Sequence, residues 1–132
     1  MIIFGRDYFK KPPFYDVKSI DAILNTPSNS TLYIEFKPAL LDVIEHCQLN
    51  NLRFALKVEN LKDAIFAHNF DASYLITNRI MAPTIQKAAD TYLFDAKVLC
   101  MIAEDEEIQE LATLGIDGVI FSEGIVKTTT IE

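Results

Sequence analysis

Two residues of opposite charge occupy matching places in neighbouring β-rich runs. Glu35 is the penultimate residue of Thr31-Leu32-Tyr33-Ile34-Glu35-Phe36, and Lys57 is the penultimate residue of Arg53-Phe54-Ala55-Leu56-Lys57-Val58. Successive side chains of a strand point to opposite faces, so two adjacent strands in the same pleat phase bring Glu35 and Lys57 onto one face, opposite each other. Such a pair in a cleft can serve as acid and base or anchor a phosphate, and the catalytic candidates are therefore Glu35 and Lys57. Lys37, Asn78, Arg79 and Ser122 are the ligand-binding candidates. Each follows a β-rich run, and in parallel α/β folds ligands bind beyond the carboxyl ends of the strands. Asn78 and Arg79 also precede a helix start near Pro83, where free backbone N–H groups and a guanidinium suit an anion.

Other chemistries find less material. Glu35, Glu59, Glu104, Asp105 and Glu123 are hard-cation ligand types, but no fixed spacing joins them, and no metal or cofactor is called for. The run Glu104-Asp105-Glu106-Glu107 is explained by the positive end of a helix dipole. His46 and His68 fall near helix ends, away from the strand carboxyl ends, where a cation complements the dipole. Ser122 lacks a G-x-S-x-G setting, and Cys47 and Cys100 sit in apolar segments without a C-x-x-C spacing. The four glycines, Gly5, Gly115, Gly118 and Gly124, cannot compose G-x-G-x-x-G or a P-loop.

The elements that must position these residues alternate regularly. Strands are expected at 31–36, 53–58, 73–77, 96–102 and 117–122, beginning 20 to 23 residues apart, a spacing that leaves room for a crossover helix and predicts parallel pairing. The first helix after residue 31 follows Pro38 and carries Leu40, Val43, Ile44 and Cys47 on one stripe. The next is capped by Asn60 with Asp63 in its first turn, the third starts near Pro83, and the fourth runs from the acidic cluster to Gly115.

Outside 31–124 the pattern weakens. Met1-Ile2-Ile3-Phe4 reads as a possible sixth strand, Lys10-Lys11-Pro12-Pro13 as a loop, and Asp16 as the cap of a short helix through Leu24. The segment 125–132 shows no apolar periodicity and is expected to fray or dock loosely. The whole is expected to be a single α/β domain: an irregular segment over 1–30, a βαβαβαβαβ core over 31–124 and a tail. Its parallel sheet has five or six strands and is either flavodoxin-like or half-TIM-barrel-like, since a closed (βα)8 barrel ordinarily takes ~250 residues. The polar alternation of Tyr33, Glu35 and Lys37, and of Arg53, Ala55 and Lys57, marks one face as an exposed edge, an oligomer interface or the lining of a barrel-like site.

Leu32-Tyr33-Ile34-Glu35-Phe36-Lys37-Pro38 resembles the I-E-[IL]-K-P strand of glycerophosphodiester phosphodiesterases. Leu114-Gly115-Ile116-Asp117-Gly118-Val119-Ile120-Phe121 resembles their closing G-[VI]-D-G-[IV]-I segment. The resemblance implies βα-barrel units, with Glu35 in the place of a metal-binding glutamate and Lys37 close to the site. It spans some fifteen residues, and the family's His-Arg-Gly segment and histidine pair have no counterpart here, so the fold is carried over and not the reaction. The chain also resembles small bacterial proteins built on a short βα repeat, which implies no activity.

Composition bounds the remaining classes. The 132 residues are 50% hydrophobic, and 12 basic against 19 acidic residues give a net charge of −7. An acidic surface disfavours nucleic acid as a partner, and no stretch has the length of a membrane span. The expectation is a soluble, cytoplasmic α/β protein that self-associates or binds a protein or a small anion, with a homo-oligomer as the expected state. The alternative is a minimal barrel-type enzyme acting on a phosphorylated metabolite.

Overall fold

The computed structural model describes residues 1–128. Eight strands form one all-parallel sheet: β1 (Ile2–Phe4), β2 (Phe14–Asp16), β3 (Thr31–Glu35), β4 (Phe54–Lys57), β5 (Tyr74–Thr77), β6 (Lys97–Ile102), β7 (Gly118–Phe121) and β8 (Ile125–Lys127). Their order is β1-β7-β6-β5-β4-β3-β2-β8. From β2 to β7 the strands follow one another without reversal. This is the winding of a barrel, whereas a doubly wound sheet reverses at a switch point. The flavodoxin-like alternative is thereby set aside, and the sheet curls into a half-barrel.

Five or six strands are expected from the sequence, and eight are present among the described residues. The excess is accommodated because β1, β2 and β8 have only three residues each, and because two connections dispense with a full helix. A single 3-10 turn at Asp7–Phe9 lies between β1 and β2, and another at Ser122–Gly124 joins β7 to β8. Asp16 does not cap a helix. It closes β2, while Ser19 caps α1 (Ile20–Ile23) by accepting a hydrogen bond from the Ala22 N–H at 3.0 Å. Ile125–Lys127 does not fray but pairs with β2, and the Thr128 N–H donates to Asp16 O at 3.3 Å; the rest of the expected tail, 129–132, lies outside the described residues.

The longer helices follow their sequence signals. In α2 (Leu41–Leu49), Val43, Ile44 and Cys47 are buried against the sheet, and Leu40 is buried in the helical turn that leads into it. Asn60 caps α3 (Leu61–His68) through the Asp63 N–H at 2.8 Å. Pro83 occupies the first turn of α4 (Ala82–Thr91), where its missing N–H costs nothing. After α5 (Glu107–Thr113), Gly115 takes the left-handed conformation at φ +77°, and Ile116 N–H returns to Leu111 O at 3.1 Å.

Two layers of core result. Alternate residues such as Leu32, Ile34, Leu56, Leu75 and Val98 point outward under the helices. The opposite phase fills the concave face with Phe4, Phe14, Tyr33, Ala55, Ile76, Leu99 and Ile120, one residue from each of β1 to β7. Strands β1 and β8, at the two ends of the order, share no ladder, yet the curl brings the ends together inside. The Phe4 and Phe14 rings lie 4.7 Å apart and both approach Tyr74, at 5.6 and 5.2 Å. Fully burying each such ring contributes about 2 to 3 kcal/mol. At the seam Gly5 has φ +94°, and a Cβ there would lie 2.9 Å from Phe121 Cβ and 3.0 Å from Gly124 N.

Candidate functional site

Parallel register places the polar residues of the concave face in two rungs at the carboxyl end of the sheet. Lys127, Asp16 and Tyr33 form one, with Ala55 continuing it on β4. Glu35 and Lys57 form the next, continued by Ile76. Phe14, two residues before Asp16 on the same face, belongs to the aromatic plug. The polar face of β3 and β4 is thus the lining of a curled sheet, and the residues above the plug make a charged mouth.

Asp16 is the least ordinary member. It is 8% exposed, and its Oδ1 is buried without a hydrogen-bond partner among the described residues. Burial pushes its pKa up, with the charge of Glu35 adding to the rise and Lys18, Lys127 and Lys37 opposing it. Tyr33, also 8% exposed, has its phenol pushed upward, chiefly by burial and then by the charges of Asp16, Glu35 and Glu59. The hydroxyl therefore stays protonated at neutral pH.

Glu35 and Lys57 are register partners, as their spacing predicted, but they are not ion-paired to each other. Lys57 Nζ donates to Glu59 Oε1 at 2.6 Å, and Lys37 Nζ lies 3.5 Å from Glu35 Oε2. Each charge is matched along its own chain segment.

The other candidates lie apart from this mouth in their contacts. Asn78 Oδ1 accepts from the Met81 N–H at 2.8 Å and shapes the turn into α4. The Arg79 guanidinium is held by Glu107 at 2.8 Å and by Glu110, which ties the loop after β5 to α5. With two carboxylates on it, Arg79 is not a free anion clamp. Ser122 donates to Glu123 Oε1 at 3.1 Å in the turn before β8. Glu107 Oε2 accepts the N–H groups of Ala103 and Glu104, both at 3.0 Å; the Glu104 bond first, then Arg79, holds its carboxyl below the ordinary range.

Among the described residues, no three His, Cys, Asp or Glu side chains gather as metal ligands. Glu35, which the phosphodiesterase resemblance would make a ligand, has an ammonium beside it instead, so this donor set does not fit a divalent cation. Cys47 and Cys100 are buried free thiols, and burial pushes both up to about 11. They are poor nucleophiles at neutral pH.

Sequence reasoning missed Asp16 and Arg6 as parts of this edge. Arg6 lies 3.5 Å above the Phe121 ring and bonds Asp105 at 2.6 Å, which fastens the loop after β1 to the loop after β6. The signal for Asp16 was Phe14-Tyr15 directly before it, two β-favouring aromatics after Pro12-Pro13. Compared with the models of known protein families and with curated proteins, the chain matches none. Among the described residues no helix is long and apolar enough to cross a membrane.

Proposed function

We propose that this is a cytoplasmic small-molecule-binding protein whose ligand occupies the charged mouth of the half-barrel, against Asp16, Tyr33, Glu35 and Lys57. The observation that carries this reading is the orphaned Asp16 oxygen. A buried carboxylate oxygen without a partner costs on the order of 1 to 3 kcal/mol, and such a cost is retained where an arriving group supplies the missing hydrogen bond. The two free, buried thiols are in keeping with a reducing compartment. Binding is favoured over acid–base catalysis by Glu35 and Lys57, because each is already paired with a residue just past the end of its own strand.

The test is thermal unfolding and titration followed by backbone NMR against a panel of polar metabolites. A ligand at ~100 times its dissociation constant adds about 2.7 kcal/mol to stability. Binding should move the resonances of residues 16, 33, 35 and 57, and Asp16→Asn should abolish the stabilisation while the fold persists. Resonance changes confined to the helix layer would overturn the reading.

Self-association is a second reading with its own observation. On the helix layer Ile65, Tyr92 and Phe94 line one groove, with Tyr92 70% exposed, an apolar surface that a second copy can cover. Sedimentation across a range of concentrations decides it: a monomer throughout would remove it.

A further inference from the structure

We propose that the ligand of the mouth is a hydroxylated anion, a polyol carrying one phosphate or carboxylate group, with a hydroxyl donating to Asp16 and the oxyanion lying among the mouth lysines. This rests on the reading of the mouth as a ligand site and specifies what enters it. Two questions fix the class: which donor Asp16 accepts, and which net charge the rim favours.

As a carboxylate oxygen, Asp16 Oδ1 takes a donor, and the choice lies between a cationic donor, such as an ammonium, and a neutral one, such as a hydroxyl. The rim decides between them. Lys127 is the register partner of Asp16 on β8, Lys57 that of Glu35 on β4, Lys37 follows β3, and Lys18 is close enough to act on the Asp16 carboxyl. Facing these four ammonium groups are Asp16, Glu35 and Glu59, which leaves one positive charge in a chain whose net charge is −7. Lys37 and Lys57 are each matched by one carboxylate, whereas Lys18 and Lys127 have none within ion-pair distance among the described residues. An incoming ammonium would meet Lys18 and Lys127 beside the very carboxylate it needs, while an oxyanion takes them as partners. A neutral hydroxyl reaches Asp16 without that repulsion. Tyr33, one strand away on the same rung and protonated, offers a second hydroxyl contact that can donate or accept.

The experiment titrates the protein with ribose 5-phosphate, gluconate, ribose, inorganic phosphate and spermidine, reading backbone NMR shifts and affinity by calorimetry. Ribose 5-phosphate or gluconate should bind with shifts at residues 16, 33 and 127. Ribose and inorganic phosphate, each holding half of the recognition, should bind at least tenfold more weakly, about 1.4 kcal/mol apart. Asp16→Asn should erase the advantage over inorganic phosphate, and Lys127→Ala the advantage over ribose. If the phosphate ester binds and gluconate does not, the oxyanion is a phosphate; the reverse makes it a carboxylate. Spermidine or ribose binding best at the same residues overturns the class and leaves the mouth standing. Hydroxylated anions whose shifts fall elsewhere overturn both. No binding of either anion up to about 10 mM, well above a millimolar dissociation constant, overturns the class.

Discussion

Glu35 and Lys57 face each other across β3 and β4, yet the ammonium of Lys57 turns to Glu59, two residues along its own chain, at 2.6 Å. The Lys57 side chain is 18% exposed and that of Glu59 66%, so the pair reaches from the lining out to solvent. A double-mutant cycle should therefore give the larger coupling for Lys57 with Glu59, about 0.5 kcal/mol as for other partly exposed pairs. The coupling of Lys57 with Glu35 should be smaller, measured by denaturant unfolding of the same variants. The reverse ranking would return the lysine to Glu35.

Asp16 links stability to pH. Because burial raises its pKa above 3.8, the folded protein holds this proton more tightly than the unfolded chain does. Its favourable contribution is full below the ordinary carboxylate value and is lost as pH rises through the raised one. Asp16→Asn, which cannot ionise, should be more stable than the wild type at pH 7, by about 1 kcal/mol. The advantage should shrink on acidification and vanish well below the ordinary value of 3.8, where the wild-type carboxyl is neutral in both states. Urea unfolding at a series of pH values measures it, and a pH-independent difference would contradict the linkage.

The seam beside Gly5 has no room for a methyl group. Gly5→Ala meets Phe121 and the Gly124 backbone at about 3 Å from a left-handed φ, and should cost about 2 to 4 kcal/mol. Gly115→Ala is the control. Its φ is also positive, at +77°, but nothing lies within 4 Å of the added Cβ, so only the conformational cost of about 1 kcal/mol should appear. Equal losses in the two variants would mean that the seam is not closely packed.

β8 is short enough to be mistaken for an end without structure. Ile125 nevertheless packs against the concave cluster and pairs in register with Phe14. Ile125→Ala should lower stability by about 1 to 2 kcal/mol, below the range of about 2 to 5 kcal/mol for fully buried aliphatics because the residue is only half-buried. Val126→Ala, whose side chain is 39% exposed on the other face, should change stability by less than about 0.5 kcal/mol. Chemical denaturation of both separates a paired strand from a loose tail.

The five central strands and four of the helices could be read from the residues because each spans enough of a period to show it. Alternation in Leu32-Tyr33-Ile34-Glu35 and the stripe of α2 are two such cases, and Asn60, Pro83 and Gly115 mark helix ends through local backbone chemistry that context does not alter. β2 and β8 escaped because three residues cannot display a period of two. Their strand character comes from each other and from β3, through pairings distant in the chain. Misreading Asp16 followed from that. A carboxylate ahead of Val17 and Ile20 has the pattern of a cap, and only the register with Tyr33 shows it to be a lining residue. Arg79 was legible as a loop cation, but its partners Glu107 and Glu110 lie on the helix after the next strand, so no local pattern revealed that it was already engaged.

The strand order also bears on how the protein is made. Among the described residues β1 pairs only with β7, and one edge of β2 waits for β8, so two strands from the start of the chain have partners more than 100 residues later. During synthesis at about 5 to 20 residues per second, Ile2–Phe4 and Phe14–Asp16 emerge many seconds before their final neighbours exist. β3 to β6, whose partners follow in sequence, can assemble while the ribosome is still adding residues. Curling of the sheet and stacking of Phe4 on Phe14 are then late events with a high loop-closure cost, and a nascent chain stalled before Gly118 would hold a helix-backed sheet in which Asp16 lacks Lys127 beside it and Phe4 lacks its strand partner.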